Sequence, residues 1–250
     1  MDRSFLSDKN VIKASRDFVC IRTATYEDKK ESEFLKQALF GGGDDLRNFG
    51  FSILSPDGSK ALKQSRRGPN FLYRDADEMH ADLRRIASGY AKTKSIDVQG
   101  LPKMKSVRLG LNVASCDGLP CIVVYGKNER ELDQWSKKLD EVVWDDALMG
   151  KFIYASTTKR TDLKSVSGAT PKSGILVIAP NQYGTEGRLI EAIDGKLTGD
   201  TLKQKLVSLA DSYKRTSKAH GSHVRYGKRD GINWETEVPV PQRRRTNRRR

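Results

Sequence analysis

The stretch Gly168–Pro180, G-A-T-P-K-S-G-I-L-V-I-A-P, decides the fold of this chain. Residues 175–178 form an unbroken apolar run, which is too short for a helix and is bounded by Gly174 and Pro180. Such a run is typical of a strand that is buried on both faces of its sheet. Thr170-Pro171, at its entrance, is an X-Pro step, where a cis peptide bond costs little free energy. We therefore predict a central buried strand that is entered through an X-Pro step.

The residues on either side of this strand predict a mixed α/β unit. Downstream, a polar turn at 181–187 precedes a second strand at 188–193, and a helix at 198–215 follows. Upstream, the apolar patterns predict strands at 106–116, 121–126 and 151–158, a helix at 129–143 and a short helical turn at 162–166.

The first third of the chain shows a similar but shorter layout. Its patterns predict a strand at 17–25, a helix at 27–40, a hairpin between 49 and 64, and a helix at 75–90. Residues 91–105 are polar, contain a Gly and a Pro and lack periodicity, as is typical of a linker. We therefore predict domains at 1–90 and 106–216, a linker at 91–105, and a basic arm with a disordered Arg-rich tail at 217–250.

The composition is that of a folded protein with a strong positive charge. A chain of 250 residues with 36% apolar content is able to form a packed core. Its 46 Lys and Arg exceed its 32 Asp and Glu, which gives a net charge of +14. This excess favours contact with nucleic acid, anionic lipid or an acidic protein, and it does not choose among them.

The sequence gives no sign of a membrane span. No stretch approaches the roughly 18 consecutive apolar residues that a span requires, so we predict no integral membrane segment. Residues 1–10 also lack the apolar region of a secretory signal. We expect a cytoplasmic protein, or an extracytoplasmic one if an export signal was removed before Met1. The oligomeric state is left open.

The order of elements in the second part resembles the thioredoxin-like fold. Pro120–Gly126, Glu129–Val143 and Lys151–Thr158 supply strand, helix and strand, Ala169-Thr170-Pro171 enters a hairpin, and Ile175–Arg215 supply that hairpin and a last helix. Residues 17–90 resemble an abbreviated version, and the whole chain is similar to tandem bacterial thioredoxin-like proteins. The resemblance implies an α/β protein of two thioredoxin-like units, the first abbreviated and the second complete, with a basic C-terminal arm.

The resemblance also bears on chemistry. In active members of the family, a C-x-x-C pair lies where the first strand meets its helix, because the helix N-terminus lowers the pKa of a thiol. The corresponding turns here are Tyr26-Glu27-Asp28-Lys29 and Gly126-Lys127-Asn128-Glu129, and neither contains a cysteine. The resemblance therefore implies no dithiol exchange at either turn. It further implies that Thr170 and Pro171 border a groove for an extended peptide.

Cys116 and Cys121 flank the predicted turn at 117–120. In a regular hairpin their Cα atoms would lie about 4.5 or 5.5 Å apart, which a disulfide accepts. They are candidates for a cross-hairpin disulfide in an oxidising compartment, and the alternative is two small buried apolar side chains. Cys20 lies inside a predicted strand rather than at a helix N-terminus, which indicates a structural role.

The sequence predicts no catalytic residue set, no metal site and no cofactor. His220 and His223 form an H-x-x-H pair, but a zinc site needs three or four ligands and no further ligand is close in sequence. A solvated basic arm is the prediction for this pair. His80 has no catalytic partner at a suggestive spacing.

The C-terminal segment interleaves cations with aromatic residues, a combination that can neutralise phosphates and stack bases. A solvated, solubilising tail is the alternative. The candidate polyanion-binding residues are Arg225, Tyr226, Lys228, Arg229, Trp234, Arg243, Arg244, Arg245, Arg248, Arg249 and Arg250.

Together these patterns predict a non-catalytic binding or adaptor protein that contacts a protein, a peptide or a polyanion. Two alternatives stay open. One is a nucleic-acid-binding protein that acts through the basic arm. The other is a thiol-dependent oxidoreductase that uses Cys116 and Cys121, or Cys20 alone.

Overall fold

A computed structural model describes residues 5–21, 23, 25–40, 50–90, 100–169, 172–215, 220–234 and 236–238. The chain divides into a first unit, residues 1–96 together with 235–250, and a second unit, residues 97–234. The division falls within 91–105, the range of the predicted linker, although Lys103–Met104 of that range form a strand. The prediction of mixed α/β structure is confirmed.

The first unit contains three α-helices and one hairpin among its described residues. The helices are α1 (Lys9–Ser15), α2 (Lys29–Phe40) and α3 (Ala76–Ser88), and strands β1 (Phe51–Leu54) and β2 (Ala61–Ser65) pair antiparallel. The Asp75 carboxylate accepts a hydrogen bond from the backbone of Glu78 and caps α3. Val11, Met79 and Leu83 pack in the core of this unit. The predicted α2, hairpin and α3 are confirmed.

The strand predicted at 17–25 is wrong. Residues 19–21 and 23 form no strand, and the exposed fractions of Val19 and Ile21 are 75% and 70%. The backbone turns at Phe18, whose N–H donates to the carbonyl of Ser15, so the segment follows the end of α1. An alternating pattern forms a strand when it pairs with a neighbouring strand and one of its faces is buried. In the described ranges of the first unit, β1 and β2 pair with each other, and residues 19–21 and 23 have no such pairing.

Residues near the C terminus complete the first unit. The Val238 N–H donates to the Tyr26 carbonyl at 3.0 Å, and the Val238 side chain packs beside Leu39. The Lys29 N–H donates to a carboxylate oxygen of Glu237 at 3.2 Å. This places a negative charge at the N-terminus of α2, where the helix dipole favours it. The first unit is therefore built from two separate stretches of the chain.

A partly buried carboxylate, Asp82 on α3, accepts hydrogen bonds from the Tyr73 hydroxyl at 2.9 Å and from Arg85. Burial raises the pKa of Asp82, but the bonds from Arg85 and Tyr73 outweigh it and hold the pKa below its usual value. Asp82 therefore stabilises the fold above its unfolded pKa of about 4, and this stabilisation is lost as the pH falls through the lower folded pKa.

We expect Tyr73→Phe to raise the pKa of Asp82 toward its ordinary value, because the variant loses the phenol donor. The free energy of unfolding of the first unit should fall by about 1–3 kcal/mol at neutral pH. Carbon-13 NMR of the Asp82 carboxyl measures the pKa directly. Tyr90→Phe is the control, since Tyr90 is 40% exposed and should leave the titration unchanged. An unaltered Asp82 pKa in Tyr73→Phe would contradict the assigned cause.

The second unit is built on a six-stranded sheet. Its strands are β3 (Lys103–Met104), β4 (Cys121–Tyr125), β5 (Ile153–Thr157), β6 (Val166–Ser167), β7 (Gly174–Pro180) and β8 (Gly187–Ile193), in the spatial order β3-β5-β4-β7-β8-β6. β4 pairs parallel with β5 and antiparallel with β7, so that Val123 lies opposite both Ala155 and Leu176. The central buried strand predicted from the sequence is confirmed as β7.

Helices cover both faces of this sheet. They are α4 (Val107–Asp117), α5 (Glu129–Val143) and α6 (Gly199–Ser212), and α7 (His220–Arg229) follows them. Successive residues of β4 point to opposite faces, so Ile122 packs with α5 and α6 while Val123 packs with α4. The core of the second unit consequently has two layers, one on each side of the sheet.

The prediction of a strand at 106–116 is wrong, because residues 107–116 lie in helix α4 and Ser106 caps it. The apolar residues Val107, Leu111 and Ala114 are buried at helical spacing. The Ser106 hydroxyl accepts a hydrogen bond from the Leu109 N–H, which starts the helix, and Gly118 ends it with a φ of 68°. The cross-hairpin arrangement of the cysteines at 116 and 121 is therefore wrong as well.

The other strands and the long helices predicted for the second unit agree with the structure. The strands predicted at 121–126, 151–158 and 188–193 and the helices at 129–143 and 198–215 are confirmed as β4, β5, β8, α5 and α6. The helical turn predicted at 162–166 is met in part by a 3₁₀ helix at Arg160–Leu163, whereas Val166 belongs to β6. In the described ranges, no helix has the length and apolar character needed to cross a bilayer.

Candidate functional site

Helix α7 is attached to the second unit by an aromatic cluster, which we define as Tyr183, His223 and Trp234. Tyr183 lies in the turn between β7 and β8. The His223 ring stacks on the Tyr183 ring with 5.0 Å between centroids, and the Trp234 ring meets Tyr183 edge-on at 6.2 Å. Aromatic pairs in these arrangements add stability beyond the area that they bury. The aromatic cluster thus joins both ends of the segment 223–234 to the β7–β8 turn.

Three polar and steric contacts reinforce the aromatic cluster. The Trp234 indole N–H donates to the Tyr183 carbonyl at 3.0 Å, and the Tyr183 hydroxyl donates to an Asp230 carboxylate oxygen at 2.9 Å. This hydrogen bond to Asp230 raises the pKa of Tyr183 above its usual value. Gly227 is needed for the close packing, because a Cβ atom there would lie 2.5 Å from Cη2 of Trp234. Helix α7 therefore has a defined buried side.

The exposed surface of α7 carries cations, two of which lie beside an exposed aromatic ring. Tyr226 is 47% exposed, and the guanidinium carbons of Arg229 and Arg225 lie 5.0 and 5.9 Å from its ring centroid. Arg225, Lys228 and Arg229 are all exposed, and Lys228 and Arg229 complement the C-terminal end of the helix dipole. Arg229 also makes an exposed ion pair with Asp230 at 3.3 Å. We call Arg225, Tyr226, Lys228 and Arg229 the cationic face of α7.

The predicted polyanion-binding residues therefore have different positions. The structure brings Arg225 and Arg229 together beside the Tyr226 ring, and Lys228 is exposed on the same helix. Trp234 is not part of the cationic face of α7, because its indole belongs to the aromatic cluster that holds the helix. The assignment of Trp234 to polyanion binding is corrected to an anchoring role. The six tail arginines, Arg243, Arg244, Arg245, Arg248, Arg249 and Arg250, lie outside the described residues.

Sequence reasoning missed Tyr183 and Asp230, which determine how α7 is held. Asp230 is an acidic residue within a basic segment, and Tyr183 lies in a polar turn. The hydrogen bond that joins them links positions 47 residues apart. No local pattern reports such a contact, so it could not be predicted from spacing.

None of the three cysteines, all of which lie in the described ranges, forms a disulfide. Cys116 is exposed on the last turn of α4, whereas Cys121 is buried at the start of β4. Burial raises the pKa of Cys121 to about 12, so this thiol stays protonated at neutral pH. Cys20, placed inside a strand by the sequence prediction, is exposed and lies outside any strand of the described ranges. The structure thus corrects both the disulfide candidate and the placement of Cys20.

The turn between β4 and α5 is set by backbone packing. Gly126 is required here, since a Cβ atom would lie 2.3 Å from the Leu132 nitrogen and 2.7 Å from its Cα. Asn128 caps α5 by accepting a hydrogen bond from the Glu131 N–H at 2.9 Å. The peptide groove assigned to Thr170 and Pro171 lies outside the described residues, which resume at Lys172.

The described residues contain no group of three or more His, Cys, Asp or Glu side chains that could hold a metal ion. His223 is engaged in the aromatic cluster, where its ring packs against Tyr183. The side chain of His220 lies outside the described residues.

Comparison of the chain with protein-family models, with curated proteins and with solved structures finds no match.

Proposed function

We propose that this chain is a redox-inactive thioredoxin-like binding protein, and that the cationic face of α7 and the Arg-rich tail contact single-stranded nucleic acid. The observation that carries this proposal is the arrangement at Tyr226, an exposed ring with two guanidinium groups within 6 Å of its centroid. Guanidinium groups neutralise phosphates, and an exposed aromatic ring offers a platform on which a base stacks.

The order of elements in the second unit supports the thioredoxin-like part of the proposal. β4, α5 and β5 are followed by the β7–β8 hairpin and α6, in the sequence that the resemblance implies. β4 lies between parallel β5 and antiparallel β7 in one sheet. The first unit lacks the strand at 17–25 on which its own resemblance depended, so the proposal covers the second unit.

Redox inactivity is supported by the positions of the thiols. The turn 126–129 contains no cysteine, and Cys121 is buried with its pKa raised by desolvation. Cys116 lies on the C-terminal turn of α4, the end at which the helix dipole disfavours a thiolate. None of these observations favours the oxidoreductase alternative.

The decisive experiment is fluorescence anisotropy of a labelled single-stranded oligonucleotide over a series of salt concentrations. A triple variant, Arg225→Gln, Lys228→Gln and Arg229→Gln, should weaken binding at least about tenfold and reduce the salt slope by about 2, since each phosphate contact contributes about 0.7. The matched control removes three exposed cations of the same unit, Lys159→Gln, Arg160→Gln and Lys164→Gln. It should bind nearly as tightly as the parent chain.

Two further measurements distinguish nucleic acid from other polyanions as the ligand. Tyr226→Leu should weaken oligonucleotide binding about fivefold or more through lost stacking while leaving the salt slope unchanged. It should not alter binding to polyglutamate, which has no bases. A chain ended at Gln242 loses six arginines and should show a salt slope smaller by about 4. Absence of binding at physiological salt, or equal losses in the two triple variants, would overturn the proposal.

A further inference from the structure

A second candidate site lies in the second unit, away from the residues of α7. It is a pocket of ≈ 810 Å³ that is lined by the first turns of α5, by residues 172–173 before β7 and by Gly195 after β8. This volume lies within the range of about 300–1,000 Å³ that is typical of small-molecule sites. The pocket is therefore large enough for an organic ligand rather than an inorganic ion alone.

The lining is strongly positive. Lys127, Lys137, Lys138 and Lys172 face one acidic lining residue, Glu131. Lys137 is neutralised by an ion pair with Asp133 at 2.8 Å. Lys127 and Lys172 are exposed and make no ion pair within the described part of the chain. Each of these two ammonium groups therefore has its donors available for an incoming anion.

One wall of the pocket is aromatic. The half-buried Trp135 ring lies along it, with the Lys138 ammonium 5.1 Å from the ring centroid. The same ammonium donates to the Gly195 carbonyl at 3.2 Å, which fixes it between the indole and the β8–α6 turn. The wall thus offers a flat apolar surface beside a positioned positive charge.

The acidic lining residue is held in place by its own hydrogen bonds. The Ser173 hydroxyl donates to Oε2 of Glu131 at 2.5 Å, and the Lys127 N–H donates to the same oxygen at 3.1 Å. These bonds, that of Ser173 first, hold the pKa of Glu131 below its usual value. Glu131 therefore stays ionised and fixes Ser173 against the start of α5. An anionic ligand would avoid this carboxylate and approach Lys127 and Lys172.

We propose that this pocket binds a phosphorylated small molecule with a planar ring, of nucleotide size. The phosphates would contact Lys127 and Lys172, because lysine binds phosphate as a point charge, and the ring would pack on Trp135. A peptide could not add to the sheet at Ile175, since this residue of β7 already lies opposite both β4 and β8. The site is separate from the cationic face of α7.

The probe is ADP, titrated into the full chain and followed by the tryptophan indole N–H signals in proton–nitrogen NMR. The chain has three Trp residues, and the Trp135 signal is assigned by its loss in Trp135→Phe. We expect ADP to shift the Trp135 signal in a saturable manner and to leave the Trp234 signal in place. Adenosine should not bind, because it lacks the phosphates that would contact the lysines. Pyrophosphate should bind at least about tenfold more weakly than ADP, because it lacks the planar ring that would pack on Trp135.

The double variant Lys127→Gln and Lys172→Gln should lower the ADP affinity at least about tenfold. Lys164→Gln, an exposed lysine outside the pocket, should change it less than about twofold. The double variant should also bind the oligonucleotide normally, so failure at this pocket is distinguishable from failure of the function proposed for α7. No Trp135 shift at about 5 mM ADP, an unchanged affinity in the double variant, or pyrophosphate binding as tight as that of ADP would overturn the proposal.

Discussion

Trp234→Ala is expected to release helix α7 from the second unit while the six-stranded sheet stays folded. The indole supplies both the hydrogen bond to the Tyr183 carbonyl and the ring that packs over Gly227. Truncation of a large aromatic side chain costs about 3–5 kcal/mol, and we expect the lower end because Trp234 is half-buried. A loss of about 3 kcal/mol should speed amide exchange in residues 221–231 on the order of 100-fold. Hydrogen-exchange mass spectrometry measures this directly.

Two controls define what the Trp234 result means. Trp144→Ala removes an indole that is 40% exposed and should leave exchange in α7 unchanged. Trp234→Phe keeps a ring but loses the N–H donor, so its effect should be intermediate, about 1 kcal/mol for the hydrogen bond. Unchanged exchange in Trp234→Ala would mean that other contacts hold the helix. The same variant should lose oligonucleotide affinity, because the cationic face would no longer be presented on a fixed helix.

Leu139→Ala should be the most destabilising of the simple truncations of α5. Its side chain is fully buried, with 0% exposed, in the cluster that joins α5 to Ile122 of β4 and Leu202 of α6. Removing such a side chain costs about 2–5 kcal/mol through lost transfer free energy and the cavity left behind. All three tryptophans, at positions 135, 144 and 234, belong to the second unit. Urea unfolding followed by tryptophan fluorescence therefore reports on this unit.

Met149→Ala is the matched control for Leu139→Ala. Met149 is 41% exposed in the same unit, and its truncation should change the unfolding midpoint little, by about 0.5 kcal/mol or less. If Leu139→Ala and Met149→Ala gave equal midpoints, α5 would not pack on the sheet as described. The slope of the transition should be the same in both variants, because neither changes the surface exposed on unfolding much.

The parts of the fold that could be predicted are those where local pattern and burial agree. The run 175–178 is buried on both faces of β7, and α5 buries Leu139, Val142 and Val143 at helical spacing. The prediction of a strand at residues 106–116 was wrong because their apolar positions fit both a strand and a helix. The deciding signals were the cap at Ser106 and the left-handed Gly118.

The candidate site shows where sequence reasoning ends. The cations of α7 were visible as a basic segment, and the structure places Arg225 and Arg229 beside the ring of Tyr226. Their display on one face depends on Tyr183, which is 51 residues from Trp234 in the chain. Composition indicates that charge is present, but only tertiary contacts decide which side chains face solvent and which act as anchors.

The return of residues 236–238 to Tyr26 and Lys29 makes the second unit an insertion within the first. The chain crosses from one unit to the other twice, near residue 96 and again near residue 235. Residues 97–234 are a continuous piece that can be excised whole, whereas a fragment ending at 96 would lack the contacts of Glu237 and Val238. A single proteolytic cut between 91 and 99 would divide the chain in two, and non-covalent contacts such as those of Glu237 with Lys29 and Val238 with Tyr26 would then hold the N-terminal fragment to residues 235–250.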